Sequence, residues 1–134
     1  MAHPDLTALT HQQMPLTELL RLEMDVAGPD GVTARAEWRE EYCTAAGVLH
    51  GGYLMALADS VGALCAFHNL TDGASTATIE SKTNFFRPVR SGKVKFRATP
   101  VHVGRTLIVV QTDATDDQGK LITRTTQSQS VVPG

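Results

Sequence analysis

Residues 50–70 read HGGYLMALADSVGALCAFHNL, the one long helical pattern in the chain. Mostly apolar side chains of this segment recur at three- and four-residue steps, which predicts an amphipathic helix with one buried stripe. The stripe comprises Leu54, Leu57, Ala58, Val61, Leu64, Cys65 and His68. Asn69, Asp72 and Gly73 follow, and residues of these types end helices.

Strand patterns lie on both sides of this helix. Residues 32–38 alternate apolar and polar side chains with period two, which predicts a half-buried strand. After Gly73, four segments bounded by turn residues predict four more strands, at 76–86, 93–98, 106–115 and 121–132. The order strand, long helix, four strands predicts an α+β domain at residues 16–134, with an antiparallel sheet wrapped around the helix and a flexible tail at residues 1–15.

Composition excludes several classes of function. With 134 residues, 42% hydrophobic content and a formal net charge of −2, the chain fits one globular domain and does not favour nucleic-acid binding through broad electrostatics. The first twenty residues lack a signal-peptide pattern, so a cytoplasmic location is expected. Residues 48–70, the longest apolar stretch, contain Asp59 and several glycines, so no membrane association is expected.

Cys43 and Cys65 show neither CxxC spacing nor a neighbouring cluster of histidines. A metal site is therefore not expected. Cys65 lies in the apolar stripe, which predicts a buried structural thiol.

The triplet His50-Gly51-Gly52 stands at the start of the predicted helix. Backbone N–H groups at a helix N-terminus have no intrahelical acceptor and lie at the positive end of the helix dipole, so they can polarise a carbonyl and stabilise an oxyanion. Without further information, His50 could equally make a structural hydrogen bond, and the two glycines could be a plain loop-to-helix junction.

Asp59 is the one acidic residue between Glu41 and Asp72. It falls outside the apolar stripe, on a face with the small residues Gly62, Ala63 and Ala66 and with Met55. Small neighbours around a carboxylate suggest that another backbone, another subunit or a substrate comes close. The residues alone leave two interpretations open, a solvated or locally paired carboxylate and a catalytic one.

Several motifs occur together in one order. The triplet 50–52 is followed by Leu57-Ala58-Asp59, then by NFFRPV at 84–89, then by Gly104-Arg105-Thr106. In this order the chain resembles the phenylacetic-acid-degradation thioesterases, relatives of the 4-hydroxybenzoyl-CoA thioesterases, over roughly residues 15 to 132. The resemblance implies a hotdog fold, hydrolysis of acyl-CoA thioesters, and no cofactor beyond the CoA that is part of the substrate.

The resemblance also implies roles for individual residues. Gly51 N–H would polarise the thioester carbonyl, held by His50 and its neighbours. Asp59 of a partner subunit would attack the carbonyl carbon or activate a water that does, and Thr78 would help to place that water. The family usually carries Asn or Gln six residues before the motif histidine. Here that residue is Thr44, which can hydrogen-bond but is shorter and has no amide donor.

Two copies of the chain are expected in the working protein. Gly51 and Asp59 are eight residues apart, about 12 Å along one helix, so one helix cannot direct both at one carbon. An antiparallel partner helix solves this, which predicts an obligate homodimer with two sites. The resemblance extends this to a dimer of dimers, a homotetramer.

Binding residues for the acyl-CoA substrate are also proposed. A basic rim for the CoA phosphates is predicted at Arg87 and Arg90, and beyond Gly104 at Arg105, beside His102 and Val103. A solvated basic strand face is the alternative.

Gly52, Met55 and Phe85 could line the acyl pocket or belong to the core. The family alone suggests an aromatic or medium-chain acyl group.

Two other functions remain open at this level. A hotdog hydratase or dehydratase would act on acyl thioesters by proton abstraction. A non-catalytic acyl-CoA binding or sensing module would use the same pocket without hydrolysis, and Thr44 favours this alternative.

Overall fold

The computed structural model describes residues 2–134. Its helices are α1 (Pro4–Gln13), α2 (Pro15–Leu19) and α3 (Gly51–Phe67), with a 3-10 turn at Glu40–Tyr42. Its strands are β1 (Glu23–Gly28), β2 (Gly31–Glu37), β3 (Ser75–Phe85), β4 (Lys93–Val103), β5 (Leu107–Thr115) and β6 (Leu121–Val132). They form one antiparallel sheet in the order β1-β2-β4-β5-β6-β3.

Helix α3 packs against this sheet and forms the centre of the core. Leu57 and Val61 of α3 are fully buried, as are Phe96 of β4 and Ile108 and Val110 of β5. Alternating burial along β2, β4 and β5 directs one face of each strand at the helix. The expected α+β architecture, a sheet wrapped around one long helix, is confirmed.

Cys65 is fully buried in α3, as its place in the apolar stripe predicted. Burial raises the pKa of the Cys65 thiol to about 11. At pH 8 only about one thiol in a thousand would then be ionised, and the thiolate is the reactive form. We expect Cys65 to resist Ellman's reagent in the native protein at pH 8 and to react in denaturant; fast native labelling, assigned by mass spectrometry, would contradict this.

The N-terminal region differs from the sequence-based expectation. Within residues 1–15, expected to be a flexible tail, residues 4–13 form α1, and its Thr10 is buried. Strand β1 was not predicted, although residues 23–26 alternate polar and apolar side chains. A register shift between Met24 and Val26 leaves Met24 buried and Val26 exposed.

The two edges of the sheet differ. On β1, the Met24 carbonyl accepts a hydrogen bond from His3 N (2.6 Å), and Met24 N donates to Thr7 Oγ1 (2.8 Å), so α1 and its N-cap cover that edge at Met24. On β3, the outer side forms no strand pairing within the described chain, and Ile79 is 62% exposed.

Backbone hydrogen bonds fix the loop that precedes α3. Leu49 N donates to Val89 O, and His50 N donates to Tyr42 O, both at 2.9 Å. Gly47 adopts a φ of +73°, a left-handed conformation that favours glycine, and its carbonyl accepts a hydrogen bond from the Trp38 indole at 3.1 Å. The two residues that precede α3 are therefore bonded to two different segments, which fixes where the helix begins.

Candidate active site

Asp59 is half-buried on α3, and the ends of two side chains from the neighbouring strands reach its carboxylate. Oδ1 lies 3.1 Å from Thr78 Oγ1 of β3 and accepts a hydrogen bond from Gln127 Nε2 of β6 at 3.0 Å. Oδ2 has no hydrogen-bond partner among residues 2–134. Asp59 is thus neither a solvated surface carboxylate nor part of an ion pair within that range. Oδ1 is hydrogen-bonded to side chains of the sheet, and Oδ2 is available to a substrate or a water.

Sequence reasoning missed Gln127 and its neighbour Gln129. Both are buried on the face of β6 that meets α3, together with Thr123 and Thr125. The signal was present, because residues 123–130 are polar at every position and so offer no apolar face. A strand of this kind in the middle of a sheet must direct a polar row at the core, and buried polar groups require partners.

The structure explains why one of the residues near Asp59, Gly62, is small. An added Cβ would overlap the carboxamide of Gln127, reaching within 2.6 Å of its Cδ. The small residues had suggested the approach of another backbone, another subunit or a substrate. At Gly62 the approaching group is a side chain of the same chain.

The predicted oxyanion donor, Gly51, lies at the N-terminus of α3. His50 is the N-cap, and its Nδ1 accepts a hydrogen bond from Gly52 N at 2.8 Å. Gly51 is the first helical residue, and its N–H has no acceptor in the described chain. Because Gly52 N–H donates to the His50 ring, Gly51 N–H is left as a donor for a ligand.

A cavity of about 300 Å³ opens beside Gly51. Leu54, Phe85 and Arg87 contribute to its walls. The ring of Phe85 lies so close that a Cβ on residue 51 would meet its Cε1 and Cζ at 3.1 Å. Arg87 Nη1 donates to Leu121 O at 2.8 Å, which anchors the guanidinium next to the cavity.

Arg90 and Thr44 do not line the cavity beside Gly51. Arg90 Nη1 donates to Ala46 O at 3.4 Å and shares a second cavity with Asp116 and Asp117, so its surroundings include negative charge. The hydroxyl of Thr44 accepts from Ala46 N at 3.4 Å within its own turn.

His102, Val103 and Arg105 are exposed at the β4–β5 turn. This turn borders the C-terminal end of β6, which pairs with the start of β3, since Val131 N donates to Thr106 O. Arg87 follows the far end of β3, an 11-residue strand about 35 Å long. One chain therefore does not bring the two predicted groups of CoA-binding residues together.

Two remaining candidates lie on α3. Met55 is half-buried one turn before Asp59. Gly52 is exposed and lines a separate cavity of about 410 Å³ with His50 and Tyr53.

Across residues 2–134 no group of three or more histidine, cysteine, aspartate or glutamate side chains is arranged to hold a metal ion. No helix in that range has the length and hydropathy needed to cross a bilayer.

Comparisons with known proteins show the family to which the chain belongs. A family model described as the thioesterase superfamily matches residues 46–123. The crystal structure of a thioesterase from Haemophilus influenzae superposes with a TM-score of 0.89 at 32% identity, covering 99% of this chain and 92% of that one. A thioesterase family protein from Silicibacter pomeroyi superposes with a TM-score of 0.86 at 26% identity, covering 96% of each chain.

The family match spans more than half of the chain, and the Haemophilus influenzae relative matches nearly all of it. These matches do not separate the phenylacetic-acid-degradation branch from its relatives. The chain belongs to the thioesterase superfamily, and its fold and relatives make it a thioester hydrolase with the hotdog architecture.

Proposed function

We propose that the protein hydrolyses the thioester bond of acyl-CoA substrates that carry an aromatic or medium-chain acyl group. The observation that carries this proposal is the state of Asp59: Oδ1 is held by the sheet while Oδ2 has no partner in residues 2–134. A fixed carboxylate with one available oxygen suits a general base or a nucleophile.

Gly51 N–H supplies the complementary group. Its position at the start of α3 adds the helix dipole to the hydrogen bond it can donate to a thioester carbonyl. In the general-base form of the reaction, water oxygen bonds to the carbonyl carbon and Asp59 takes its proton. The tetrahedral intermediate then breaks the C–S bond, and the CoA sulfur leaves with that proton. In the nucleophilic form, Oδ2 bonds to the carbonyl carbon and the C–S bond breaks, which gives a mixed anhydride and CoA thiolate. Water then hydrolyses the anhydride, returning the Asp59 carboxylate, and the thiolate takes up the proton that the hydrolysis releases.

The site is proposed to lie between two copies of the chain. Gly51 and Asp59 are about 12 Å apart along α3. Gly51 of one copy must therefore act together with Asp59 of the other copy. The unpaired outer side of β3 supports pairing with β3 of that copy, since bare strand edges pair readily. We propose a homodimer assembled in this way and a homotetramer made of two such dimers.

Antiparallel pairing of two β3 strands would also complete the coenzyme site. The end of one chain that carries Arg87 and Arg90 would approach the end of the other that carries His102, Val103 and Arg105. Arginines from both chains would then surround the CoA phosphates. A cytoplasmic location belongs to the proposal as well, in keeping with the free thiols of Cys43 and Cys65.

A thiol-release screen over aromatic, short-, medium- and long-chain acyl-CoA esters tests this function. We expect CoA release with the highest kcat/KM for an aromatic or medium-chain ester. Tight binding measured by calorimetry without release from any ester would instead indicate a binding module. Hydration of crotonyl-CoA in place of thiol release would indicate a hydratase.

A further inference from the structure

The inner face of β6 is polar where it meets α3. Gln127 and Gln129 are at most 1% exposed, and both side chains extend toward the helix that carries Asp59. Burying a carboxamide in a core is unfavourable unless its hydrogen bonds are replaced. An apolar pair would fill the same space without that penalty. The position of these two residues is therefore better explained by what they contact than by packing.

Gln127 makes the contact with Asp59. Its Nε2 carries two protons and lies 3.0 Å from both Asp59 Oδ1 and Gln129 Oε1, so each acceptor receives one. Its Oε1 is buried beside Gly62 and has no partner among residues 2–134. This orientation leaves an acceptor unsatisfied in order to direct both donors at Asp59 and Gln129.

Gln129 determines which way Gln127 faces. Gln129 Nε2 donates to Thr76 Oγ1 at 3.2 Å, which leaves Oε1 facing Gln127 and Thr78. If the Gln127 amide were reversed, its oxygen would face the oxygens of Gln129 and Asp59. The sequence of bonds from Thr76 through Gln129 to Gln127 thus fixes the donor that reaches the carboxylate.

Thr78 cannot replace this donor. Its hydroxyl has one proton and lies 2.7 Å from Gln129 Oε1 and 3.1 Å from Asp59 Oδ1, so it can donate to only one of them at a time. The shorter contact is to Gln129. When that bond is made, Gln127 is the remaining donor to Oδ1 within residues 2–134.

Gly62 shows that the helix accommodates this arrangement. Glycine weakens the middle of a helix relative to alanine, yet any Cβ here would overlap the Gln127 carboxamide. The helix surface is open where Gln127 must pass to reach Asp59.

We propose that Gln127 is a positioning residue that holds Asp59 Oδ1 and leaves Oδ2 for the reaction, with Gln129 setting its orientation. This rests on the proposed role of Asp59. Thr78 and Gln127 contact the carboxylate from β3 and β6 without charge, and Asp59 forms no ion pair with any residue from 2 to 134.

The test compares Gln127→Met, which keeps the length and removes the donor, with Thr112→Val. Thr112 is buried on β5, and its hydroxyl has no partner in the described chain, so Thr112→Val should keep wild-type activity. We expect Gln127→Met to lower kcat about 10- to 100-fold with little change in KM. The acid limb of its pH–rate profile should move to higher pH, because a donor to the ionised form has been lost.

A second variant and a second measurement keep the test decisive. Gly62→Ala retains Gln127 but displaces its amide, and should change kcat and the profile in the same direction even if Gln127→Met does not fold. The carboxyl ¹³C signal of Asp59, assigned by its absence in Asp59→Asn, should titrate at higher pH in both variants whether or not an ester is hydrolysed.

Unchanged kcat and titration in the folded variants would overturn the role of Gln127 and leave the thioesterase proposal intact. A rise in KM alone would overturn it too. Absence of turnover in the wild-type protein, with the titration shift still present, would refute only the proposed reaction.

Discussion

Asp59→Asn is expected to lower kcat for acyl-CoA hydrolysis by about 10² to 10⁴-fold, the range that a general base contributes. Asparagine has nearly the same shape and keeps an oxygen for the bond from Gln127 Nε2. The core next to α3 should therefore stay intact while the group that accepts a proton is lost. CoA release under saturating substrate measures the effect.

Its control separates chemistry from folding. Asp72→Asn makes the same change at an exposed position beyond the end of α3 and should leave kcat unaltered. Circular dichroism, the melting temperature and the mass in solution should match the wild type for both variants. Retained turnover in a correctly folded Asp59→Asn protein would remove Asp59 from the mechanism.

Gly51→Pro is expected to lower kcat/KM by about 10² to 10³-fold, the effect of removing one oxyanion donor. Proline has no N–H but fits the first position of a helix. It also restricts the residue before it to extended conformations, and His50 already has φ −63° and ψ 136°. The substitution therefore removes the donor with little change to the backbone.

Gly51→Ala is the matched control, because its Cβ meets the Phe85 ring at the same 3.1 Å while its N–H remains. The ratio of the two variants isolates the donor from the crowding. Equal activity of the proline and alanine variants would show that Gly51 N–H does not bind the oxyanion.

Mixing the two inactive variants tests whether the site is shared. If Gly51 of one copy works with Asp59 of the other, a mixed dimer of Gly51→Pro and Asp59→Asn chains contains one intact site. Random exchange makes half of the dimers mixed, so about a quarter of the sites should regain activity. If each chain held a complete site, mixing would restore nothing.

The elements predicted from their hydrophobic period, α3 and β2, bury one continuous face. Helix α3 was expected at residues 50–70 and runs from Gly51 to Phe67, because its three- and four-residue spacing matches one wall of the core. Strand β1 was missed because its alternation covers only the four residues 23–26 before Ala27 and Gly28. Helix α1 was missed because its sequence, PDLTALTHQQ, contains few apolar residues, and it is held against β1 by a hydrogen bond from Met24 N to Thr7.

Some contacts of the candidate site were predicted from the sequence, and others were not. The resemblance named Asp59 and Thr78, and the structure brings them to within 3.1 Å. Gln127 lies 68 residues beyond Asp59, and nothing in the local pattern of a polar strand says which carboxylate it will meet. Contacts of that range depend on sheet order, which places β6 between β5 and β3 under the helix.

The covering of β1 by α1 has a consequence for how assembly ends. A sheet with two bare edges could add copies without limit and grow into a fibre. Here the His3 and Thr7 bonds to Met24 occupy part of one edge, and two-fold pairing through β3 would use the other in both copies. Strand addition within the described part of the chain would then be opposed beyond two copies, and a short N-terminal helix would limit polymerisation.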